Sequence, residues 1–146
     1  LLEWIFITGP LIRPGQWDDD CSLVGNRPIR IVKYTSNFIE ILKASDVFIG
    51  TCGYNTAAEV IYTGTNAIFC PLKRVDEIEQ QIRASILEHH GLCDTLHLQR
   101  QEDEMALVSL IKNRLASFKS TNKKDISING SSIVASQIKQ DLLDLV

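Results

Sequence analysis

The chain has 146 residues, 45% hydrophobic and 23% charged, with a formal net charge of -3 at pH 7. That balance fits one soluble globular domain with a sizeable core. It argues against a general nucleic-acid binder, which would carry a basic face, and against a membrane-spanning protein, because no run of about eighteen apolar residues occurs.

The first predicted element is a strand at Trp4 to Thr8, a continuous apolar run stopped by Gly9-Pro10. The opening residues lack a basic flank and a small-residue cleavage site, so they do not read as a signal peptide. Up to Pro28 the chain holds Pro14-Gly15, the acidic run Asp18-Asp19-Asp20 and few periodic apolar residues. A loop with at most one short helix is expected there. Three consecutive carboxylates cannot all converge from one regular element, so the acidic run reads as a solvated turn and no metal site is expected.

Ile29 to Val32 is the next strand, followed by a helix from Ser36 to Ala44 with Phe38, Ile41 and Leu42 on one side and Ser36 or Asn37 as its cap. Tyr34-Thr35 leaves the C-terminal end of that strand, the edge where open α/β sheets place ligands.

The stretch from Val47 to Ala84 carries the most information. Val47 to Gly50 is a short β-branched and aromatic run, as in a strand buried on both faces. Gly50 and Gly53 flank Thr51 and Cys52 and suit a tight turn before a helix at Thr56 to Tyr62. The first amides of such a helix have no intrahelical partner and sit at the positive end of its dipole, so a pyrophosphate fits against them. Glu59, three residues after Thr56, has two readings. It closes a capping box on the Thr56 amide, or it faces a cleft and accepts hydrogen bonds from a vicinal diol such as a ribose.

The pattern then repeats, with a strand at Asn66 to Cys70, Pro71 as its stop, and a helix from about Asp76. Asp76 and Glu79 again have capping-box spacing. Ile78, Ile82 and Ile86 define the expected buried stripe of this helix. Gln80 and Arg83 lie off that stripe, where Gln80 can donate to phosphate or sugar oxygens and Arg83 is either a ligand contact or a solvated charge. Gly91 is the expected left-handed stop, with His89 and His90 solvated in the last turn.

A short edge strand is expected at Thr95 to Leu98, and a helix from Gln101 to Phe118 on Leu107, Ile111, Leu115 and Phe118. An exposed connector, Lys119 to Lys124, precedes a last amphipathic helix beginning at Gly130 on Val134, Ile138, Leu142 and Leu145. Five strands alternating with helices imply an α/β domain: a Rossmann-like open parallel sheet with helices on both faces.

Cys21, Cys52, Cys70 and Cys93 form no C-x-x-C pair and, with His89, His90 and His97, no zinc spacing. They read as reduced apolar fillers in a cytoplasmic protein, with no cofactor expected. Cys52 also sits where a helix N-terminus would activate a nucleophile, though no histidine neighbour is identifiable.

Gly53-Tyr54-Asn55-Thr56, then Glu59, Gly64, Pro71 and Glu79-Gln80-x-x-Arg83-Ala84, resembles the nucleotide-sugar half of GT-B glycosyltransferases of the family 28 type. That group includes the N-acetylglucosaminyltransferase of the lipid-linked peptidoglycan precursor and many predicted bacterial glycosyltransferases with a GYNT signature. The resemblance implies a UDP-sugar donor. Its diphosphate would lie at Thr51, Cys52, Gly53, Tyr54, Asn55 and Thr56, its ribose on Glu59, its base at Tyr34 and Thr35, and its sugar or phosphate near Glu79, Gln80 and Arg83.

The resemblance also implies a further strand and a glycine-rich loop before Trp4, and an acceptor-binding N-terminal half that holds the general base. The chain, which opens on Leu, is therefore expected to be one Rossmann-like domain and a C-terminal piece of a two-domain enzyme. Its expected partners are the donor, that missing half and, for the full enzyme, a membrane surface. In a strand order of 3-2-1-4-5-6, loss of the first strand leaves two open edges. Either Trp4 to Thr8 pairs directly with Val47 to Gly50, or another chain, including a second copy, fills the gap.

Three functions remain open at this stage. One is the donor half of an inverting hexosyltransferase. The others are a UDP-sugar epimerase or hydrolase on the same fold, and a non-catalytic subunit or scaffold.

Overall fold

The computed structural model describes residues 2–9, 28–72, 78–98, 102–116 and 129–143. The acidic run, Cys21, Asp76, Phe118, the Lys119–Lys124 connector and Leu145 lie outside them, as does the side chain of Leu142. The chain divides into two compact units, Leu1–Phe38 and Ile39–Val146.

In the first unit β1 (Trp4–Ile7) pairs in parallel with β2 (Ile29–Val32), with Trp4 opposite Ile29 and Ile7 opposite Val32. The ladder is extended at both ends, by the Trp4 amide donating to the Pro28 carbonyl at 2.9 Å and the Thr8 amide to the Val32 carbonyl at 3.1 Å. Trp4 and Phe6, two residues apart and so on one face of the strand, stack with ring centroids 6.3 Å apart.

The second unit contains a three-stranded parallel sheet in the order β3 (Phe48–Gly50), β4 (Ala67–Phe69), β5 (Asp94–Thr95). Parallel neighbours need crossover helices, and α2 (Tyr54–Thr63) and α3 (Glu79–His89) supply them. Helix α1 (Phe38–Ala44) leads into β3, α4 (Glu102–Ala116) follows β5, and α5 (Gly130–Leu143) ends the described chain.

β4 is the centre of the core. Ala67, Ile68 and Phe69 are wholly buried, as expected of a middle strand covered on both faces. Leu42 of α1, Ala57 and Val60 of α2, Ala84 and Leu87 of α3, and the thiols of Cys52 and Cys93 are also buried. Thr65, just before β4, donates its hydroxyl to the Leu42 carbonyl at 2.8 Å and so ties α1 to the sheet.

Within each sheet the neighbours are those of the order 3-2-1-4-5-6 with its first strand left out. β5 is an edge strand as expected, but it ends at Thr95 rather than Leu98. β4 stops just before Cys70 and Pro71, and proline has no amide to continue a ladder. One further bond, from the Leu96 amide to the Phe69 carbonyl at 2.9 Å, closes it.

The largest correction concerns α3. Its buried side is Ala84 and Leu87, whereas Ile78, Ile82 and Ile86 are 58, 51 and 53% exposed. A helix lying close against a sheet fits small side chains at the point of nearest approach, so Ala84 took the inner face and turned the isoleucines out. The expected stop is present. The Gly91 amide donates to the Glu88 carbonyl at 2.8 Å and the Leu92 amide to the Leu87 carbonyl at 3.0 Å, with Gly91 at φ +70°, the pattern of a Schellman motif.

α4 turns Leu107, Ile111 and Leu115 inward as read from its periodicity. It is clamped to β5 by Arg114, whose Nε and Nη2 donate to the two Asp94 carboxylate oxygens at 2.6 and 2.7 Å. That fork raises the Arg114 pKa further, chiefly through the hydrogen bonds to Asp94. α5 forms where expected, but Val134 and Ile138 of its apolar stripe are exposed.

Candidate functional site

The site read from the sequence lies at the carboxyl ends of β3 and β4, in the second unit. Strand β3 hands the chain to α2 through Thr51, Cys52 and Gly53. The glycines there act for different reasons than a tight turn. Gly50 is the last residue of β3, where a Cβ would stand 2.6 Å from Cζ of the Phe48 ring, so a larger residue there would require that ring to shift. Gly53 is the N-cap of α2 in an extended conformation, φ -62° and ψ 157°, which any residue adopts. A Cβ on it would meet only the Thr56 hydroxyl oxygen, at 3.9 Å. Nothing among the described residues requires glycine at this position.

Helix α2 begins at Tyr54, two residues ahead of the predicted start, with no side-chain cap. Its first described helical bond is from the Ala57 amide to the Gly53 carbonyl at 2.9 Å, so the amides of Tyr54, Asn55 and Thr56 precede the ladder and have no intrahelical acceptor. Thr56 is consequently inside the helix, and T-A-A-E is not a capping box. Glu59 is half-buried, and no hydrogen bond or ion pair to it occurs among the described residues. Of its two sequence readings the cap is eliminated. The other end of α2 closes on Gly64 at φ +68°, whose amide reaches the Val60 carbonyl at 2.9 Å.

The Asp76–Glu79 spacing involves Asp76, which lies outside the described residues. α3 starts at Glu79, after Ile78 and without a side-chain cap, and the Glu79 side chain is exposed, 3.9 Å from Arg83.

Gln80 and Arg83 reach back to the two loops in front of the sheet. Gln80 Oε1 accepts the Leu72 amide at 3.3 Å and so holds the loop after β4. Arg83 is not the solvated charge of one sequence reading. Its side chain is 25% exposed, Nη1 donates to the Cys52 carbonyl at 2.8 Å, and the guanidinium lies 5.6 Å from the Tyr54 ring centroid, within cation–π range. One cation therefore braces the turn and backs the exposed aromatic at the head of α2. The spacing Glu79 to Arg83 was visible in sequence, but the contact to Cys52, thirty-one residues away, carries no local signal.

Cys52 itself is fully buried. Burial pushes its thiol pKa up, and the nearby Arg83 charge only partly counters that. A buried, protonated thiol is a packing group, so the nucleophile reading fails. Its contribution to the turn is its backbone. Cys93, buried beneath α3, has its thiol pushed up to about 12, mainly by burial, and contacts the Ala84 carbonyl at 3.8 Å.

The structure thus brings Thr51, Gly53, Tyr54, Asn55, Thr56, Glu59, Glu79, Gln80 and Arg83 onto adjoining elements of one unit. Tyr34 and Thr35 belong to the first unit, where Tyr34 is exposed and the Thr35 hydroxyl accepts the Asn37 amide at 3.0 Å ahead of α1. Among the described residues no group of three His, Cys, Asp or Glu side chains is placed to hold a metal ion.

The sequence profile of the glycosyltransferase family 28 C-terminal domain matches residues 7–142. The chain belongs to that family. No curated protein matches this family 28 chain. A solved structure described as the glycotransferase of kitacinnamycin is similar to it, with a TM-score of 0.58 at 12% identity, over 80% of this chain and 30% of that one. At that identity the likeness is one of fold, and it agrees with the α/β architecture above. The family 28 chain spans less than a third of that neighbour. No described helix is long and apolar enough to cross a membrane.

Proposed function

We propose that this family 28 domain is the donor-binding half of an inverting glycosyltransferase, taking a UDP-sugar and passing its hexosyl group to an acceptor hydroxyl. The observation that carries the reading is the head of α2. Three amides there precede the helical ladder, beside a glycine that neither backbone angle nor packing demands. A ligand that must approach the backbone closely accounts for both, and a diphosphate is the group such amides favour. Glu59, without a partner among the described residues, then takes the ribose diol. Glu79 and Gln80 line the donor sugar.

Chemically, transfer breaks the bond from the anomeric carbon to the diphosphate, and charge gathers on the departing phosphate. The α2 amides and the Arg83 guanidinium meet that charge in a preorganised way, which is where such groups lower a barrier most. A general base must deprotonate the acceptor hydroxyl. Its place in this reading is a separate N-terminal half, and the free thiols suit a reducing, cytoplasmic setting. Titration calorimetry of the chain with UDP and with UDP-hexoses tests the proposal. Saturable binding of UDP, shared by UDP-hexoses and absent for other nucleoside diphosphates, is expected; heat indistinguishable from dilution for every nucleotide would overturn it.

A further inference from the structure

Tyr54 is the first residue of α2, and it is 75% exposed. Its amide precedes the helical ladder, but its side chain has no part in the site as described so far. Exposed aromatics are ordinary on a protein surface; this one is held in place. The Arg83 guanidinium lies 5.6 Å from the ring centroid, and it is itself fixed, with its side chain only 25% exposed and its Nη1 donating to the Cys52 carbonyl at 2.8 Å. One side of the ring therefore rests on an anchored cation, while most of its surface stays open. The first turn of α2 carries no acidic residue, so no side-chain carboxylate there competes with a ligand for the positive end of the helix.

Tyr54 and Glu59 serve different flanks of this helix. Five residues at 3.6 per turn set them about 140° apart around the axis, and the contact with Arg83 turns Tyr54 toward α3. Glu79, 3.9 Å from Arg83, is on the same flank. With a diphosphate over the α2 amides and its ribose on Glu59, the far end of the donor leaves on the Tyr54 side.

We infer that the open face of the Tyr54 ring is a platform for the donor hexose and makes Tyr54 the residue that distinguishes a UDP-sugar from bare UDP. The inference rests on the donor site proposed above. An aromatic face carries partial negative charge, and the C–H bonds along one face of a pyranose are weakly positive, so the two attract when stacked. Stacking also takes apolar area of both partners out of water. A ring already held by Arg83 loses less freedom on binding than a mobile one.

Calorimetric titration of the wild-type chain and of Tyr54→Phe, Tyr54→Leu and Tyr54→Ala tests this, each checked for fold by circular dichroism. The ligands are UDP and whichever of UDP-glucose and UDP-N-acetylglucosamine the wild type binds more tightly. The leucine and alanine variants are expected to lose at least roughly five-fold more affinity for the UDP-sugar than for UDP, whereas the phenylalanine variant, which keeps the ring, stays within about two-fold of wild type for both. An alanine variant that affects UDP and the UDP-sugar equally, or neither, overturns the inference and leaves the donor site standing. So does a leucine variant that matches the wild type, since bulk alone would then suffice. A wild-type chain that binds neither ligand removes the donor site and this inference together.

Discussion

The chain contains two successive strand–turn–helix segments that look alike in sequence and do opposite things. In β3–α2 the helix head is left open, with an N-cap glycine that has free space beside it and a carboxylate without a partner among the described residues, although neither helix has a side-chain cap. In β4–α3 the side chains turn back and fasten, Gln80 on its own loop and Arg83 on the loop of the other segment. Their strands differ in the same sense, β4 wholly buried and β3 half-buried. One segment leaves its first helical amides free, and the other holds the backbone before them through Arg83. Preorganisation of this kind is what makes helix amides effective toward developing charge.

The comparison can be broken most forcefully at the strands. Phe69→Ala, in the central strand, should cost about 3–5 kcal/mol of unfolding free energy by urea denaturation, as for a fully buried aromatic. Phe48→Ala, in the half-buried strand, should cost about half that. Equal losses would mean that β3 is as much a core strand as β4.

Alkaline titration tests the packing beneath α3. The folded-state pKa of Cys93, about 12, exceeds its ordinary 9.0, so between those values the folded chain keeps a proton that the unfolded chain has lost. Its stabilising contribution is therefore complete below pH 9 and declines as pH rises toward 12, by at most about 1.4 kcal/mol per pH unit. Cys93→Ala should flatten that decline relative to wild type. An unchanged slope would show that the thiol is not sequestered.

Arg83→Ala removes a charge-assisted bond to the Cys52 carbonyl and should cost about 1.5–3 kcal/mol of stability, along with weaker UDP binding. Arg83→Lys keeps the charge but not the fork, and should recover affinity only in part. Stability that falls with affinity untouched would make Arg83 a strut alone.

These contrasts explain what was legible in the sequence. Strands β1 to β4 were readable because each is a short run of β-branched and aromatic residues with glycine or proline nearby, and the α/β class followed from their alternation with helices. The motif from Gly53 to Thr56 marked the junction of β3 and α2. Helix faces and starts were less accessible. Three isoleucines at regular spacing read as a buried stripe, but the close approach of α3 to the sheet favoured Ala84. Thr56 and Glu59 had the spacing of a cap, yet the helix had begun at Tyr54. Both outcomes depend on how far apart packed elements stand, which single-residue spacing does not encode.

A smaller effect separates binding from stability at Glu59. Since the cap is absent, Glu59→Ala should leave unfolding free energy within about 0.5 kcal/mol of wild type. UDP affinity should fall by about 1.5–3 kcal/mol, the worth of hydrogen bonds to a charged group. Intact affinity would remove the carboxylate from the ribose site.

The central claim, that the head of α2 is kept open for a ligand, is tested most directly at Gly53. Its extended backbone tolerates alanine and a Cβ would meet only the Thr56 hydroxyl oxygen at 3.9 Å, so Gly53→Ala should leave the fold intact, the entropy removed from the unfolded chain roughly offsetting alanine's poorer N-capping, with stability within about 1 kcal/mol of wild type. Calorimetric titration of that variant with UDP is the decisive measurement. The account predicts a loss of affinity of at least roughly ten-fold, or about 1.4 kcal/mol, in a protein that stays folded. Wild-type affinity in the same folded variant would contradict it.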